Sequence, residues 1–369
     1  MAFRLSAFYF TFFVYGGAYV AYFPLYLAER GLSALEIAWV LALPPLARTF
    51  APAAWGWLAD RSGAHRAIVV FSCAVSAAAF AFLPFTAHIA LLIALMSVLS
   101  AGALPLVEAI TLGSLGGQAG RYGPIRLWGS VGFIAIVLAG GVWLDFESVA
   151  TLPAALAVFM LLTLAIALGL PSGSSHRAAD VAPLRFTREI GALLAAGFCM
   201  ALAHGALYAF FSLYLEQHGY RGMTIGMLWT LGVLAEIVVF LYLPALFRRY
   251  ALSSILVVSL ACAVLRFVAI GWAVGALWIV LLAQVLHAAT FGSFHAASVA
   301  AVHRVFPPGA QATGQTIFSS VSYGAGAAAG TVLAGWAWAA GGGQLAFSLA
   351  AAASLAGAFF AAQLKRAGL

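Results

Sequence analysis

Long apolar runs separated by short polar breaks recur along the whole chain. Twelve runs of spanning length fall at about 5–28, 36–58, 67–87, 89–113, 125–144, 149–170, 191–215, 223–247, 253–274, 276–300, 314–338 and 344–363. A helix needs about 20 predominantly apolar residues to cross the hydrocarbon core, so each run predicts one crossing. The runs are too long to be the alternating segments of about 10 residues that build an outer-membrane barrel. The expected fold class is therefore an all-α integral membrane protein with twelve transmembrane helices. The first run, LSAFYFTFFVYGGAYVAYFPLYLA, exceeds the roughly 7–15 apolar residues of a signal peptide, and no small-residue cleavage pattern follows it. It reads as a retained first span.

The longest polar break, PSGSSHRAADVAPLRFTRE at 171–189, is rich in turn formers and Arg. It separates an expected N-terminal six-helix bundle (1–170) from a C-terminal one (191–369), with 171–190 as a linker. The halves repeat. A shift of 188 residues lays FPLYLAERGLSALEIAW (23–39) on FSLYLEQHGYRGMTIGM (211–227), matching Phe23 with Phe211, Tyr26 with Tyr214, Gly31 with Gly219 and Ile37 with Ile225. The same shift sets Arg48 opposite Glu236, each about thirteen residues into its span and so near mid-membrane. Two parallel six-helix repeats with polar residues at mid-membrane describe a rocking-bundle secondary transporter.

Composition agrees, because 65% of the 369 residues are hydrophobic and 7% charged, against roughly 45–50% and 25% in soluble domains. The net charge of +7 would suit nucleic acid, but its placement makes it a topology signal. With the N-terminus inside, the cytoplasmic ends collect Arg4, Arg61, Arg66, Arg121, Arg126, Arg177, Arg185, Arg188, Arg248, Arg249, Arg304, Lys365 and Arg366, while the outer loops hold Arg30 and Arg221. Both termini are expected in the cytoplasm, and short outer loops suit a compact carrier, a monomer, of the bacterial inner membrane. Nothing resembles a P-loop. The expected energy source is an ion gradient with no cofactor, the expected partners are a small solute, protons and the bilayer, and no enzymatic chemistry is indicated. Cys73, Cys199 and Cys262 each sit in an apolar run without disulfide or zinc spacing and read as packing residues.

The break after the second span reads GWLADRSGAHR, 56–66. It resembles the loop signature of the major facilitator superfamily through Gly56, Asp60, Arg61, Gly63 and Arg66, at the position that family uses. The resemblance implies a conformational gate, closed on the cytoplasmic side by charge pairing with adjacent helix ends. YGPIRLWGSVGF (122–133), LWTLGVLAEIVVF (228–240) and QVLHAATFGSFH (284–295) are similar to the phenylpropionate permease family, a relative of the oligosaccharide/proton symporters that include the lactose permease. That likeness implies proton-linked uptake of a small organic solute. It places Glu108 and Arg126 where those symporters bind sugar hydroxyls, and Phe133 where an aromatic ring stacks on the substrate. Glu236 resembles the helix-eight carboxylate, Arg266 the helix-nine arginine and His287 the helix-ten histidine of the coupling site. The chain departs from the symporter pattern at Thr290, where a proton-carrying carboxylate is expected, at Gln284, where a basic residue is expected, and in helix seven, which lacks the matching Asp.

Charges outside the loops are few: Arg48, Glu108, Glu236 and Arg266, with Arg126 at the mouth of helix five. Such groups face the bundle interior or a wet cavity and mark a substrate or ion path. Arg cannot deprotonate and presents a planar fork suited to a carboxylate, so Arg48, Arg126 and Arg266 are anion-clamp candidates. Glu236 and Glu108 can load and release a proton, Glu236 chiefly, with His287 added by the resemblance. The lesser alternative is a structural ion pair of Glu236 and Arg266 between neighbouring helices. His204 and His295 read as interior histidines, and no carboxylate or Cys accompanies the histidines at metal-ligand spacing. Tyr15, Tyr19, Tyr22 and Tyr26 form one stripe on helix one, better read as packing or lipid contact than as a substrate face. GAGAAAG (324–330) reads as close helix packing. The favoured cargo is a small aromatic carboxylic acid such as a phenylpropionate. A sugar or nucleoside bound through Glu108 and Arg126, or drug efflux on the same fold, are the alternatives.

Overall fold

The computed structural model describes residues 1–115, 119–172 and 185–365. It is all-helical among those residues and holds eleven apolar stretches long enough to cross a membrane. They are α1 (Ala2–Glu29), α2 (Ala34–Ser62), α3 (His65–Phe85), α4 (Ile89–Ser114), α5 (Tyr122–Leu144), α6 (Val149–Ala167), α7 (Arg188–Gln217), α8 (Gly222–Arg249), α9 (Leu252–Ala273), α10 (Leu277–Val305) and a 54-residue stretch, Gln311–Leu364. At about 1.5 Å per residue the last stretch is more than twice the depth of a bilayer core. It breaks at Gly341 (φ −154°, ψ 21°) and Gly342 (φ 66°, ψ −163°), the latter a conformation that only glycine adopts freely. The break yields α11 (311–340) and α12 (343–364), and the expected twelve crossings. This is a multi-pass membrane protein. Phe3, Leu91, Leu241 and Trp272 are among the large side chains left exposed on helix surfaces, an apolar exterior suited to lipid.

The repeat is visible in the backbone. α1 ends where Gly31 (φ 81°) turns its N–H to the Ala28 carbonyl at 2.9 Å, and α7 ends where Gly219 (φ 78°) does the same to Glu216 at 2.9 Å. Each glycine supplies the left-handed residue that closes a helix C-terminus. A capping box between Ser33 and Glu36 then starts α2.

Several helices are not regular, α4 among them, which is interrupted at 101–102. α2 carries Pro44 and Pro45 and is interrupted at Thr49–Phe50. α10 and α11 each contain a π-helical turn, at Ala288–Ser293 and Ser320–Gly326. The chain forms two compact units, one of Met1–Gly31, Phe50–Arg177 and Arg221–Gly226, the other of Leu32–Thr49, Ala178–Tyr220 and Met227–Leu369. The units therefore follow the sequence halves except that the first part of α2 joins the second unit and the start of α8 joins the first. Residues 173–184 of the expected linker lie outside the described residues.

Within unit one, α1 and α5 touch through glycine: a Cβ on Gly132 would meet the Phe10 carbonyl, and one on Gly17 would meet Phe133 and Ile136. The end of α5 meets the start of α8 the same way, through Gly141 against Gly222 and Val137 against Gly226. Asp145 Oδ2 accepts from the N–H of Met223 at 3.3 Å and lies 3.9 Å from Arg221 Nε. A carboxylate there complements the positive end of α8. Within unit two, the GAGAAAG segment does pack closely, because Cβ atoms on Gly326 and Gly330 would strike Phe198 and Leu202 of α7. The helix-one aromatic stripe is packing in the main, since Tyr19 stacks on Phe23 at 4.6 Å and both lie against Phe80.

Candidate functional site

Unit one brings together Glu108 of α4 and Arg126 of α5, with Nε 3.7 Å from Oε1 and side chains 30% (Arg126) and 38% (Glu108) exposed. The guanidinium lies over the rings of Phe13, at 4.3 Å, and Tyr9, at 5.3 Å, both on α1. Such stacking holds the fork flat and leaves its other edges for a ligand. The Tyr9 hydroxyl is 3.3 Å from Thr111 Oγ1. Phe13 and Tyr9, one turn apart on α1, are the members sequence reasoning missed, because an aromatic residue among many gives no sign of the cation it will cover. Phe133 packs on Gly17 of α1.

The loop of the superfamily signature also lies in unit one. Gly63 closes α2 at φ 68° with its N–H on the Ala59 carbonyl at 2.8 Å. Asp60 Oδ1 meets His65 Nε2 at 3.3 Å, Arg61 lies over the Trp57 ring at 5.4 Å and Arg66 donates to the Leu170 carbonyl at 3.3 Å. A Cβ on Gly56 would meet nothing. Asp60 is thus tied to His65 in its own loop, and Arg66 is the residue that reaches another helix end.

Unit two holds the deeper set. Arg266 of α9 is 1% exposed. Its Nη1 donates to Thr290 Oγ1 at 3.0 Å and its Nη2 to Gln284 Oε1 at 2.7 Å, both on α10, while Nε has no partner. No carboxylate pairs with it among the described residues. The alternative of a Glu236–Arg266 ion pair is therefore not what forms. Glu236 Oε2 lies instead 3.8 Å from Nε2 of His287, with side chains 17% and 9% exposed. The change of partner follows from α10, where His287 sits at the start of the π turn and faces α8, while Gln284 and Thr290 face α9. The two positions that break the symporter pattern, Gln284 and Thr290, are the ones that hold the arginine.

His287, Phe291 and His295 stack in one column, with centroids 5.4 and 6.1 Å apart and planes within 12°. His295 Nδ1 lies 2.8 Å from the Tyr323 hydroxyl of α11. His204 of α7 has its centroid 6.3 Å from that of His287. A cavity of about 40 Å³ lies between α7, α10 and α11, walled by His204, Tyr208, Thr290, Phe291, Phe294 and Tyr323. Both π turns border it. π turns concentrate at functional sites because they displace side chains from the regular register. Arg48, exposed at the interruption of α2, makes no hydrogen bond or ion pair among the described residues, though its charge reaches Tyr208, as do those of Glu236 and Arg266.

A helical membrane protein of twelve crossings, with a repeated six-helix pattern, the loop motif after its second helix and a buried arginine in its second unit, is a secondary transporter of the major facilitator type. The chain belongs to the MFS_1 like family, whose profile matches residues 2–349. It is 32% identical over 230 residues to a protein of Escherichia coli (strain K12) named "Probable 3-phenylpropionic acid transporter". That match covers 58% of this chain and spans 58% of the Escherichia coli protein, less than two thirds of its length. It is 28% identical over 340 residues to the maltose permease of Geobacillus stearothermophilus, covering 89% of this chain and 86% of that protein. In fold it is similar to the crystal structure of the nucleoside transporter NupG, with a TM-score of 0.84 and 18% identity over 99% of both chains. The POT family transporter PepTSo gives 0.74 and 13% over 99% of this chain and 96% of that one. These relatives are transporters rather than enzymes.

Proposed function

We propose that the protein carries a small aromatic carboxylic acid, such as a phenylpropionate, into the cell together with protons. The observation that carries this reading is Arg266: a permanent charge, 1% exposed, held by two neutral side chains and with no carboxylate paired to it among the described residues. An isolated charge in an apolar interior is costly, and an anionic solute would supply the missing partner by accepting a charge-assisted hydrogen bond from the unpartnered Nε. Glu236 beside His287 is the proton site. The name of the Escherichia coli relative, a probable 3-phenylpropionic acid transporter, agrees with the solute class. In this reading the carrier sits in a bacterial inner membrane with both termini cytoplasmic, works as a monomer, uses the proton gradient and needs no cofactor, and the loop at Gly56, Asp60, Arg61, Gly63 and Arg66 is its gate. Arg48 is a second contact for the acid.

The test is transport into proteoliposomes. Wild type accumulates labelled 3-phenylpropionate when the outside is made acidic. Glu236→Gln still exchanges the acid across the membrane but loses uphill accumulation, and Arg266→Gln loses affinity for it by about tenfold or more, the loss of one charge-assisted contact. Uphill accumulation by Glu236→Gln overturns the proton assignment. One feature favours the second reading, a sugar or nucleoside: Glu108 and Arg126 are paired, stacked on Phe13 and partly exposed, an arrangement suited to hydroxyl groups, and relatives include a maltose permease and a nucleoside transporter. Competition by neutral sugars and nucleosides, absent with aromatic acids, would establish it.

A further inference from the structure

His204 projects from α7 into the interior of unit two and is 4% exposed. Its Nδ1 lies 2.8 Å from the carbonyl oxygen of Met200, one turn earlier. A carbonyl oxygen only accepts, so Nδ1 carries the hydrogen and Nε2 keeps a lone pair. That Nε2 is buried and without a partner. A buried acceptor left unmade bears the full cost of its desolvation, which singles it out from an ordinary interior histidine. Two further buried nitrogens near it are also without partners, Nε of Arg266 and Nδ1 of His287.

The surroundings decide what Nε2 can receive. His204 lines the cavity of about 40 Å³. A water needs about 10–15 Å³ of such space, and an engineered cavity that takes benzene measures about 150 Å³. The space suits water, not the aromatic ring of a solute. The titratable and charged groups around His204 are Tyr208 on its own helix, Arg266 on α9, His287 on α10 and Tyr323 on α11. Glu236 of α8 stands behind His287. Arg266 is the one permanent cation of this set, and in a medium of low dielectric it opposes a second positive charge on His204.

We infer that His204 is a second proton-binding residue of the carrier, filled only when an organic carboxylate cancels the charge of Arg266. This deepens the function proposed above and rests on its acid binding at Arg266. The carboxylate accepts from Nε of the guanidinium. A proton arriving at His287 from Glu236 leaves His287 at Nδ1 and passes by way of water to Nε2 of His204, whose ring centroid lies 6.3 Å from that of His287. His287 returns to its neutral form and His204 becomes an imidazolium that keeps its Nδ1–H on Met200. Anion and proton then enter as a neutral pair. By linkage the acid raises the proton affinity of His204 by the same factor as the proton raises the affinity for the acid. Neither ligand alone is favoured in the closed site.

The experiment is calorimetric titration of the purified full chain with 3-phenylpropionate at neutral pH, in two buffers of different ionisation enthalpy. The difference between the two heats counts protons taken up per acid bound. Wild type takes up protons on binding, and His204→Asn, which keeps an amide for the Met200 carbonyl but cannot titrate, takes up close to one fewer. His204→Gln serves as the second variant if the first fails to fold. No proton uptake by wild type, or an unchanged count in a folded variant, overturns the inference. Failure of 3-phenylpropionate and a panel of aromatic acids to bind wild type overturns the proposed function and this inference with it. Binding with the wrong proton count overturns this inference alone.

Discussion

Gln284 and Thr290 stand six residues apart on α10 and turn to the same guanidinium. Their neutrality is what leaves Arg266 uncompensated, so charge placed there should be decisive. Thr290→Glu sets a carboxylate against the guanidinium, neutralises its charge internally and competes with an acid for the same cation. The expected outcome is a folded carrier that loses affinity for 3-phenylpropionate by tenfold or more, about 1.4 kcal/mol, read in a direct binding titration. Thr290→Val, which removes only the hydroxyl, should cost stability of about 1 kcal/mol and leave most of the acid affinity. At this scale the sequence picks out which ionisable residues lie within the helices but not which of them meet. Glu236, Arg266 and His287 stand out because charge and imidazole are rare in apolar runs. That Glu236 meets His287 rather than Arg266 depends on how α8, α9 and α10 are rotated, and no residue identity records that rotation. His204 read as an interior histidine because its orphaned Nε2 is a property of its neighbours, not of its spacing.

The π turns explain part of that failure at the scale of the element. On a regular helix His287 and His295 would lie about 80° apart. With Ala288–Ser293 in a wider turn, positions 287, 291 and 295 form one stacked column. A wheel drawn at 3.6 residues per turn therefore misplaces every side chain after the turn. The small-residue segment of α11 was easier to read. Glycine spaced at helical intervals permits backbone contact, and Gly330 does lie against Leu202 of α7, as Gly205 lies against Gly330. Gly330→Val would put its side chain into a carbonyl that cannot retreat, at a cost of about 1–3 kcal/mol or more for overpacking. Gly16→Val meets open space and should stay within about 0.5 kcal/mol of wild type, as ordinary exposed changes do. Thermal denaturation of both variants in the same detergent checks the contrast. Equal midpoints would mean that the α7–α11 contact carries little of the stability.

At the scale of the whole molecule, hydropathy read the twelve crossings because a helix in lipid must satisfy its own backbone over a fixed depth. The last pair is merged but for the break at Gly341–Gly342. Hydropathy says nothing of which helix lies beside which, so the composition of the compact units was not legible. The first part of α2 belongs to the second unit, where Ala38 sits against Gly335 and Thr49 against Gly324 of α11. The interruption at Thr49–Phe50 marks the handover, since Trp55, in the second part, packs on Gly102 of unit one. Residues 185–369 made alone would leave bare the face of α11 that Leu32–Thr49 covers. The surface there is built of small residues, and its cover comes from the other half of the sequence. Two chains, 1–172 and 185–369, expressed together should therefore co-purify and accumulate 3-phenylpropionate, whereas either alone should fail to give a monodisperse protein. A C-terminal chain that is stable and monodisperse by itself would show that the α2–α11 contact is dispensable. Shortening the N-terminal chain to begin after Thr49 should abolish rescue, because it removes the segment that completes the second unit.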